Sequence, residues 1–510
     1  MTMKKSFLFL ALLFPAPAAP AQQPAPERPN IILFLVDDMG WQDTSVPFWD
    51  SLTNANKEFY TPNMERLAAR SLKFTDAHAA SICTPSRVSL MSGMNAAHHR
   101  VTNWTMYRDK TVDAPDSLLD LPDWNVNGLS PVPGQPHSIY VTPLPRLLKA
   151  AGYFTIHCGK AHFGAYQTPG ADPLRLGFSV NIGGSAAGNP ASYLGEQNYG
   201  HVPGKFVLRA VPGLEKYWGT PTFLTEALTR EALHVLDTVR LRKQPFFLYM
   251  AQYAVHIPYN PDARFYEKYR QRGLAGPEAA YAALVEGMDK SLGDLMDYLD
   301  EHGLADNTII LFMSDNGGFS RAPRSGPQDS QNYPLRDGKG SLYEGGTREP
   351  MMVCWPGVTR PGSVARQYVM IEDFFPSILE MAGVENYHTI QTVDGRSFVP
   401  VLKDAAYADS TRILVWNFPN KWVRHDARDV SWCSALRQGR WKLIWFQKTG
   451  SLELYDLEAD ISERHDLSAR YPEKTRALSA LLTRQLKAWH AQRPAYKATG
   501  NPVPWPDGTP

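Results

Sequence analysis

In the stretch Asn30-Ile-Ile-Leu-Phe-Leu-Val36-Asp37-Asp38-Met39-Gly40, six consecutive apolar side chains end abruptly in two carboxylates. A strand with one wet face alternates apolar and polar residues, so a run that is apolar at both parities belongs to a strand covered on both sides. Such strands build parallel sheets flanked by helices, and whatever follows their carboxyl ends faces the ligand crevice. The same texture returns further along the chain. Tyr153 to His157 runs into Gly159-Lys160-Ala161-His162, Phe246 to Met250 into Ala254-Val255-His256, and Thr308 to Met313 into Ser314-Asp315-Asn316-Gly317-Gly318. Between them lie helical patterns: Leu144, Leu147 and Leu148 after Thr142-Pro143, and Leu284, Met288, Leu292, Leu295 and Leu299 within Pro277 to His302. Strands alternating with helices predict an α/β fold with a large, mostly parallel mixed sheet sandwiched by helices.

After about residue 405 the texture changes. Ser434 to Phe446 and Ser451 to Leu457 read as antiparallel strands and Pro472 to Gln492 as a closing helix, a smaller C-terminal α+β subdomain. At the other end, Lys4 and Lys5, the apolar run Phe7 to Phe14 and Ala19-Pro20-Ala21 have the proportions of a secretory signal. The expected division is therefore a signal at 1–21, a catalytic domain at 22–405 and the subdomain at 406–510. That address implies a periplasmic or secreted protein, with no membrane span in the mature chain. Residues 114–135 and 169–204 are long, rich in Pro, Gly and Asn, and expected to carry function.

Composition narrows the partners. Lys plus Arg total 52 against 51 for Asp plus Glu, so no global field suggests nucleic acid or an anionic membrane surface. Any anion is bound locally. The 13 Trp and 23 Tyr suit either core packing or sugar rings. Four cysteines, Cys83, Cys158, Cys354 and Cys433, are too few for a disulfide scaffold.

Cys83-Thr84-Pro85-Ser86-Arg87 opens a short helical run, Val88-Ser-Leu-Met-Ser-Gly93. Further stretches accompany it in order: Gly159-Lys-Ala-His-Phe-Gly164, Ser314-Asp-Asn-Gly-Gly318, Gly338-Lys-Gly-Ser-Leu-Tyr-Glu-Gly-Gly346, Asp373-Phe-Phe-Pro376 and Asp394-Gly-Arg396. In these motifs, from about Pro29 through Leu454-Tyr-Asp-Leu457, the chain resembles the sulfatase family, the formylglycine-dependent branch of the alkaline-phosphatase-like superfamily. The resemblance implies that a maturation enzyme oxidises Cys83 to formylglycine, whose hydrate is the nucleophile. One hydroxyl attacks sulfur; the second later loses its proton, the C–O bond breaks, and sulfate leaves as the aldehyde returns. With Cys83 converted, three cysteines remain and at most one disulfide can form.

Asp37, Asp38, Asp315 and Asn316 are hard oxygen donors at two strand ends, suited to Ca²⁺ or Mg²⁺ rather than zinc. The resemblance implies calcium, with Cys83 also on the metal. It further implies that Arg87, in the first turn of a helix, and Lys160 hold the formylglycine hydroxyls, that Lys339 binds sulfate, that His162 is the base, and that His256 is the donor near the leaving oxygen. Lys160, His256 and Lys339 would thereby touch substrate. Ser185 is a candidate sulfate contact. His98, His99 and Arg100, with Asn103 and Trp104, follow the nucleophile helix and are expected to read sugar hydroxyls. Trp124, Trp218, Trp416 and Trp422 are further candidates, and Cys158 is expected to pack near the site.

The implied activity is hydrolysis of sulfate monoesters on a glycan, with galactose or N-acetylgalactosamine sulfates as the first guess. An arylsulfatase or choline-sulfatase-like enzyme, a phosphonate or phosphate-ester hydrolase, and a catalytically silent glycan-binding protein with Cys83 left as a thiol are the alternatives. The last has no need of a carboxylate cluster beside the pentad.

Overall fold

The computed structural model describes residues 28–320, 331–422 and 430–510, so the expected signal at 1–21 lies outside the described residues. The opening run is strand β1 (Asn30–Val36), followed by β2 (Leu72–His78), β3 (Phe154–Gly159), β4 (Val180–Ile182), β5 (Phe246–Ala251), β6 (Thr308–Ser314), β7 (Arg348–Cys354), β8 (Ser363–Ala365) and β9 (Val369–Met370). They form one nine-stranded sheet in the order β8-β2-β7-β6-β1-β5-β3-β4, with β9 also paired to β2. Every pairing is parallel except those of β7, which runs against both its neighbours. The four apolar runs read from the sequence are thus the adjacent strands β6-β1-β5-β3, in register from Asn30 opposite Thr308 to Val36 opposite Ser314.

The helices that cover the sheet are α1 (Pro62–Arg70), α2 (Cys83–Ser92), α3 (Leu144–Ala150), α4 (Leu224–Leu241), α5 (Gly276–Glu301) and α6 (Phe374–Met381). Alternate residues of β1 serve the two layers. Ile32, Phe34 and Val36 pack with α1, α4 and α5, while Ile31, Leu33 and Leu35 pack with α2, α3 and α6. This is the reason the strand reads as a continuous apolar run.

The C-terminal region is a four-stranded antiparallel sheet of β10 (Ile413–Lys421), β11 (Ser431–Gln438), β12 (Trp441–Phe446) and β13 (Ser451–Asp456), backed by α7 (Pro472–Ala488). The stretch Ser434 to Phe446 is two strands rather than one, because Gly439 turns the chain with φ +58°. One face of this sheet, through Trp416, Phe418, Ala435, Ile444 and Phe446, packs on Ile82 and Cys83 at the start of α2. The other face packs on α7. Among the described residues no helix is long and apolar enough to cross a membrane.

Candidate active site

Parallel register brings the carboxyl ends of β6, β1, β5 and β3 side by side, so Asp315-Asn316, Asp37-Asp38, His256 and Lys160-His162 converge from distant parts of the chain. Because β7 is antiparallel, its amino end lies at the same edge, with Arg348 opposite His78, and the preceding loop delivers Lys339 there. Two backbone features fix the approach. Asp38 turns back with φ +61° and donates its N–H to Asp315 Oδ1 at 3.3 Å. Gly159 sits at φ +103°, where a Cβ would fall 1.8 Å from the Ala251 carbonyl oxygen. Only glycine lets β3 lie so close to β5 while the chain turns to present Lys160.

Carboxylate oxygens of Asp37, Asp38 and Asp315 lie within 4.8 Å of one another, all buried. Arg87 donates from Nε to Asp315 Oδ2 at 2.8 Å and from Nη1 to the Lys160 carbonyl at 2.9 Å. Lys160 Nζ donates to both oxygens of Asp37, at 2.8 and 2.7 Å, and Lys339 Nζ to Asp38 Oδ1 at 2.6 Å. Asn316 donates to Asp38 Oδ1 at 2.8 Å. Two oxygens at the centre remain without a hydrogen-bond partner, Asp38 Oδ2 and Asn316 Oδ1. Burial pushes the Asp37 carboxyl well above the usual carboxylate range, and Asp315 and Asp38 push the same way against Lys160. Three buried carboxylates with two unpartnered oxygens and no sulfur or imidazole in the set fit a hard divalent cation.

Cys83 begins α2 beside this cluster, and burial raises its thiol pKa against the pull of Lys160 and Lys339. His162 adopts φ +52° and its Nε2 sits 2.9 Å from the Thr105 carbonyl, which can only accept. Nε2 therefore carries the proton, and Nδ1, buried without a partner, is a free lone pair. Burial and Lys160 hold this ring well below the ordinary histidine range, so it is neutral. His256 holds Nδ1–H on the Ile257 carbonyl at 2.9 Å, and its Nε2 lies 3.4 Å from Asp38 Oδ2. Cys83, His162, His256 and Lys339 line one cavity of about 150 Å³, walled by Trp104, Met106, Leu208, Phe319 and Trp422 and by the loop residues Ala186 to Asn189.

Several expectations resolve differently. Arg87 is the fifth residue of α2, not a first-turn residue, and its guanidinium clamps Asp315 and stays out of the cavity lining. Lys160 likewise lies beneath the cavity, on Asp37. Neither His98, His99 nor Arg100 lines the cavity. His98 pairs with Asp394 and stacks on Trp489, His99 is buried against Ser89, and Arg100 donates to the His490 carbonyl. A ten-residue helix at 1.5 Å per residue carries the chain about 15 Å from Cys83 before these residues begin. Asn103 binds Asp113 and Trp124 does the same through its indole N–H. Trp416 caps the Ala79 carbonyl, and Trp218 packs at a tilt against His201. Ser185 is outside the cavity lining, although its carbonyl accepts the His162 N–H at 3.1 Å and the residues after it form the wall. Trp104 and Trp422 do line it. Cys158 is buried in the α4 layer with its Sγ on the Leu228 carbonyl, and no disulfide forms among the described residues. Of the lining residues missed in the sequence, Asn189 falls within the 169–204 loop, whereas Leu208, Arg209 and Phe319 lie outside it in irregular segments that no motif or periodicity marked.

A cysteine at a helix start, a buried carboxylate cluster and fixed cations at the carboxyl edge of this sheet define an enzyme of the alkaline-phosphatase-like class. The chain belongs to the sulfatase family: the model "Sulfatase" matches residues 29–384, and "N-sulphoglucosamine sulphohydrolase, C-terminal" matches 337–492. It is a sulfuric ester hydrolase. A sulfatase of Formosa agariphila is 30% identical over 95% of this chain and 93% of its own length. The human N-acetylgalactosamine-6-sulfatase is 31% identical over 76% of this chain and 68% of its own. The solved structure "Ps i-CgsB in complex with k-i-k-neocarrahexaose" superposes with TM-score 0.69 at 26% identity, covering 91% of this chain and 92% of that one. A phosphonate monoester hydrolase of Agrobacterium radiobacter, at TM-score 0.59 and 18% identity, shares the fold.

Proposed function

We propose that the protein removes sulfate from a sulfated carbohydrate outside the cytoplasm, with Cys83 matured to formylglycine and calcium held by Asp37, Asp38, Asp315 and Asn316. The observation that carries this reading is the single cavity onto which Cys83, His162, His256 and Lys339 all open, walled by Trp104 and Trp422. Flat aromatic walls suit a sugar ring, and the relatives named above include enzymes whose names and bound ligand are carbohydrate. When present, the aldehyde hydrate supplies the nucleophilic oxygen and the cation supplies charge for the sulfate oxygens.

The chain's own residues do the rest. Lys339 reaches the cavity from Asp38 and places fixed positive charge where sulfate oxygens gather negative charge. Lys160 and Arg87 orient Asp37 and Asp315 so that their oxygens point to one centre. His162, with Nε2–H committed to Thr105, offers Nδ1 to accept a proton from the nucleophile side. His256, with Nδ1–H committed to Ile257, would give the leaving oxygen a proton only after Nε2, beside Asp38 Oδ2, has taken one up. The phosphonate-hydrolase likeness is one of fold, and the arylsulfatase reading has a likeness to the mouse arylsulfatase J at 27% identity but no observation in the cavity.

The test is made on protein from a maturation-competent host. The mass of the peptide spanning Cys83 should show the aldehyde in place of the thiol, and Cys83→Ala should abolish sulfate release from sulfated mono- and disaccharides. Chelation should lower the thermal midpoint as well as activity, with calcium restoring both. An unmodified thiol in active enzyme, or preferential release of phosphate, would overturn the reading.

A further inference from the structure

The catalytic residues account for the floor of the cavity but not for one cation at its mouth. Arg209 lines the same cavity as Cys83 and Lys339, yet it is solvent-exposed. Its backbone carbonyl accepts from Ala191. Its guanidinium has no carboxylate partner among the described residues, whereas Lys339 is committed to Asp38 and Lys160 to Asp37. No aspartate or glutamate stands among the lining residues described. A lone guanidinium on an acid-free wall is an unneutralised donor fork, able to bind sulfate or carboxylate oxygens in pairs.

The surface beside it is shaped for a longer ligand. Phe206, three residues before Arg209, is 68% exposed, an unusual setting for a phenylalanine. It packs on the Tyr166 ring with centroids 4.9 Å apart; the Tyr166 backbone bridges to that of Tyr107, itself 49% exposed, and the Tyr166 N–H donates to the carbonyl of the lining residue Met106. The rings of Phe206 and Tyr166 thus stand beside the cavity lining, tied to it through the backbone at Met106 and, at Phe206, three residues before Arg209. A sugar buried at Trp104 and Trp422 would carry its neighbour across these rings.

We propose that Arg209 forms a second oxyanion subsite, selecting oligosaccharides in which the sugar next to the sulfated one bears another anionic group, a sulfate or a carboxylate. The proposal rests on the carbohydrate-sulfatase reading above. It assigns Arg209 a part in substrate choice and none in the bond-breaking step.

The experiment compares three disaccharides that share the cleaved sulfate and differ on the adjacent sugar: neutral, sulfated or carboxylated there. The readout is the ratio of kcat/KM on each dianionic substrate to that on the neutral one, taken on one enzyme preparation so that the fraction folded cancels. Wild type should favour at least one dianionic substrate, and Arg209→Ala should lower that ratio about 10- to 100-fold, mostly through KM, with Arg209→Lys intermediate. The arm that responds names the anion. Equal ratios in wild type and Arg209→Ala would overturn the subsite while leaving the sulfatase reading intact. No sulfate release by wild type from any of a wide panel of sugars would instead overturn the reading beneath it, and the subsite with it.

Discussion

At the scale of single residues, His99 shows how a polar side chain near a nucleophile can be structural. Its Nδ1 accepts the Val101 N–H at 3.0 Å, and Nε2 faces Ser89 Oγ at 3.0 Å, so only the neutral ring satisfies both. Burial pulls its pKa down to about 3, far below the roughly 6.5 of a free histidine. The unfolded chain takes up a proton as pH falls below that free value while the folded chain does not. The ring's contribution is therefore intact above about pH 6.5 and lost on acidification at about 1.4 kcal/mol per pH unit. Replacing His99 with Asn, which keeps an acceptor and does not titrate, should remove about that much from the acid-side slope of unfolding free energy against pH. Urea titrations between pH 6 and 4 measure it; an unchanged slope would show that His99 is protonated in the folded protein.

At the scale of elements, legibility followed burial chemistry. Strands β1, β3, β5 and β6 were readable because both faces are dry, and the polar residues at their ends could be expected to meet because parallel strands end at one edge. Strand β7 was not readable: it opens with Arg348-Glu349-Pro350, charged residues and a proline that suggest a loop until Arg348 is seen paired with Glu344. Strand β10 was missed for a similar reason, with Asn417, Pro419 and Asn420 inside it. The cavity walls were harder still, since Asn189, Arg209 and Phe319 sit in irregular segments whose path no periodicity records. The close passage of β3 along β5 makes an element-level test. Gly159→Ala would drive a methyl group into the Ala251 carbonyl at a positive φ, so it should cost more than about 2 kcal/mol and displace Lys160 from Asp37. Denaturant unfolding together with kcat would check it; a variant of normal stability and activity would mean the two strands separate easily.

At the scale of the whole molecule, the two sheets are joined by a buried charge network as well as by the apolar contact behind Cys83. Lys442 of β12 has Nζ 2.7 Å from Glu344 Oε1 and 2.9 Å from Glu463 Oε1, all three fully buried. Glu344 also takes Arg348 Nε at 2.6 Å, and Arg348 and Arg437 of β11 share Asp76 beside His78. Asp76, His78 and Glu344 lie close enough together to suggest a second metal centre, but Arg348, Arg437 and Lys442 already neutralise them. Lys442→Met keeps most of the side-chain length while leaving Glu463 without a cation, Glu344 retaining Arg348, so it should cost about 3–5 kcal/mol. Removing the stranded charge as well, in Glu463→Gln with Lys442→Met, should recover part of that loss, which separates charge from packing. Because β10, β11 and β12 pack on Ile82 and Cys83, the single variant should also lose kcat at temperatures where it remains folded. Unfolding curves and rates measured on wild type, Lys442→Met and the double variant decide it. Full stability in the single variant would mean that the apolar face alone holds the subdomain against the nucleophile.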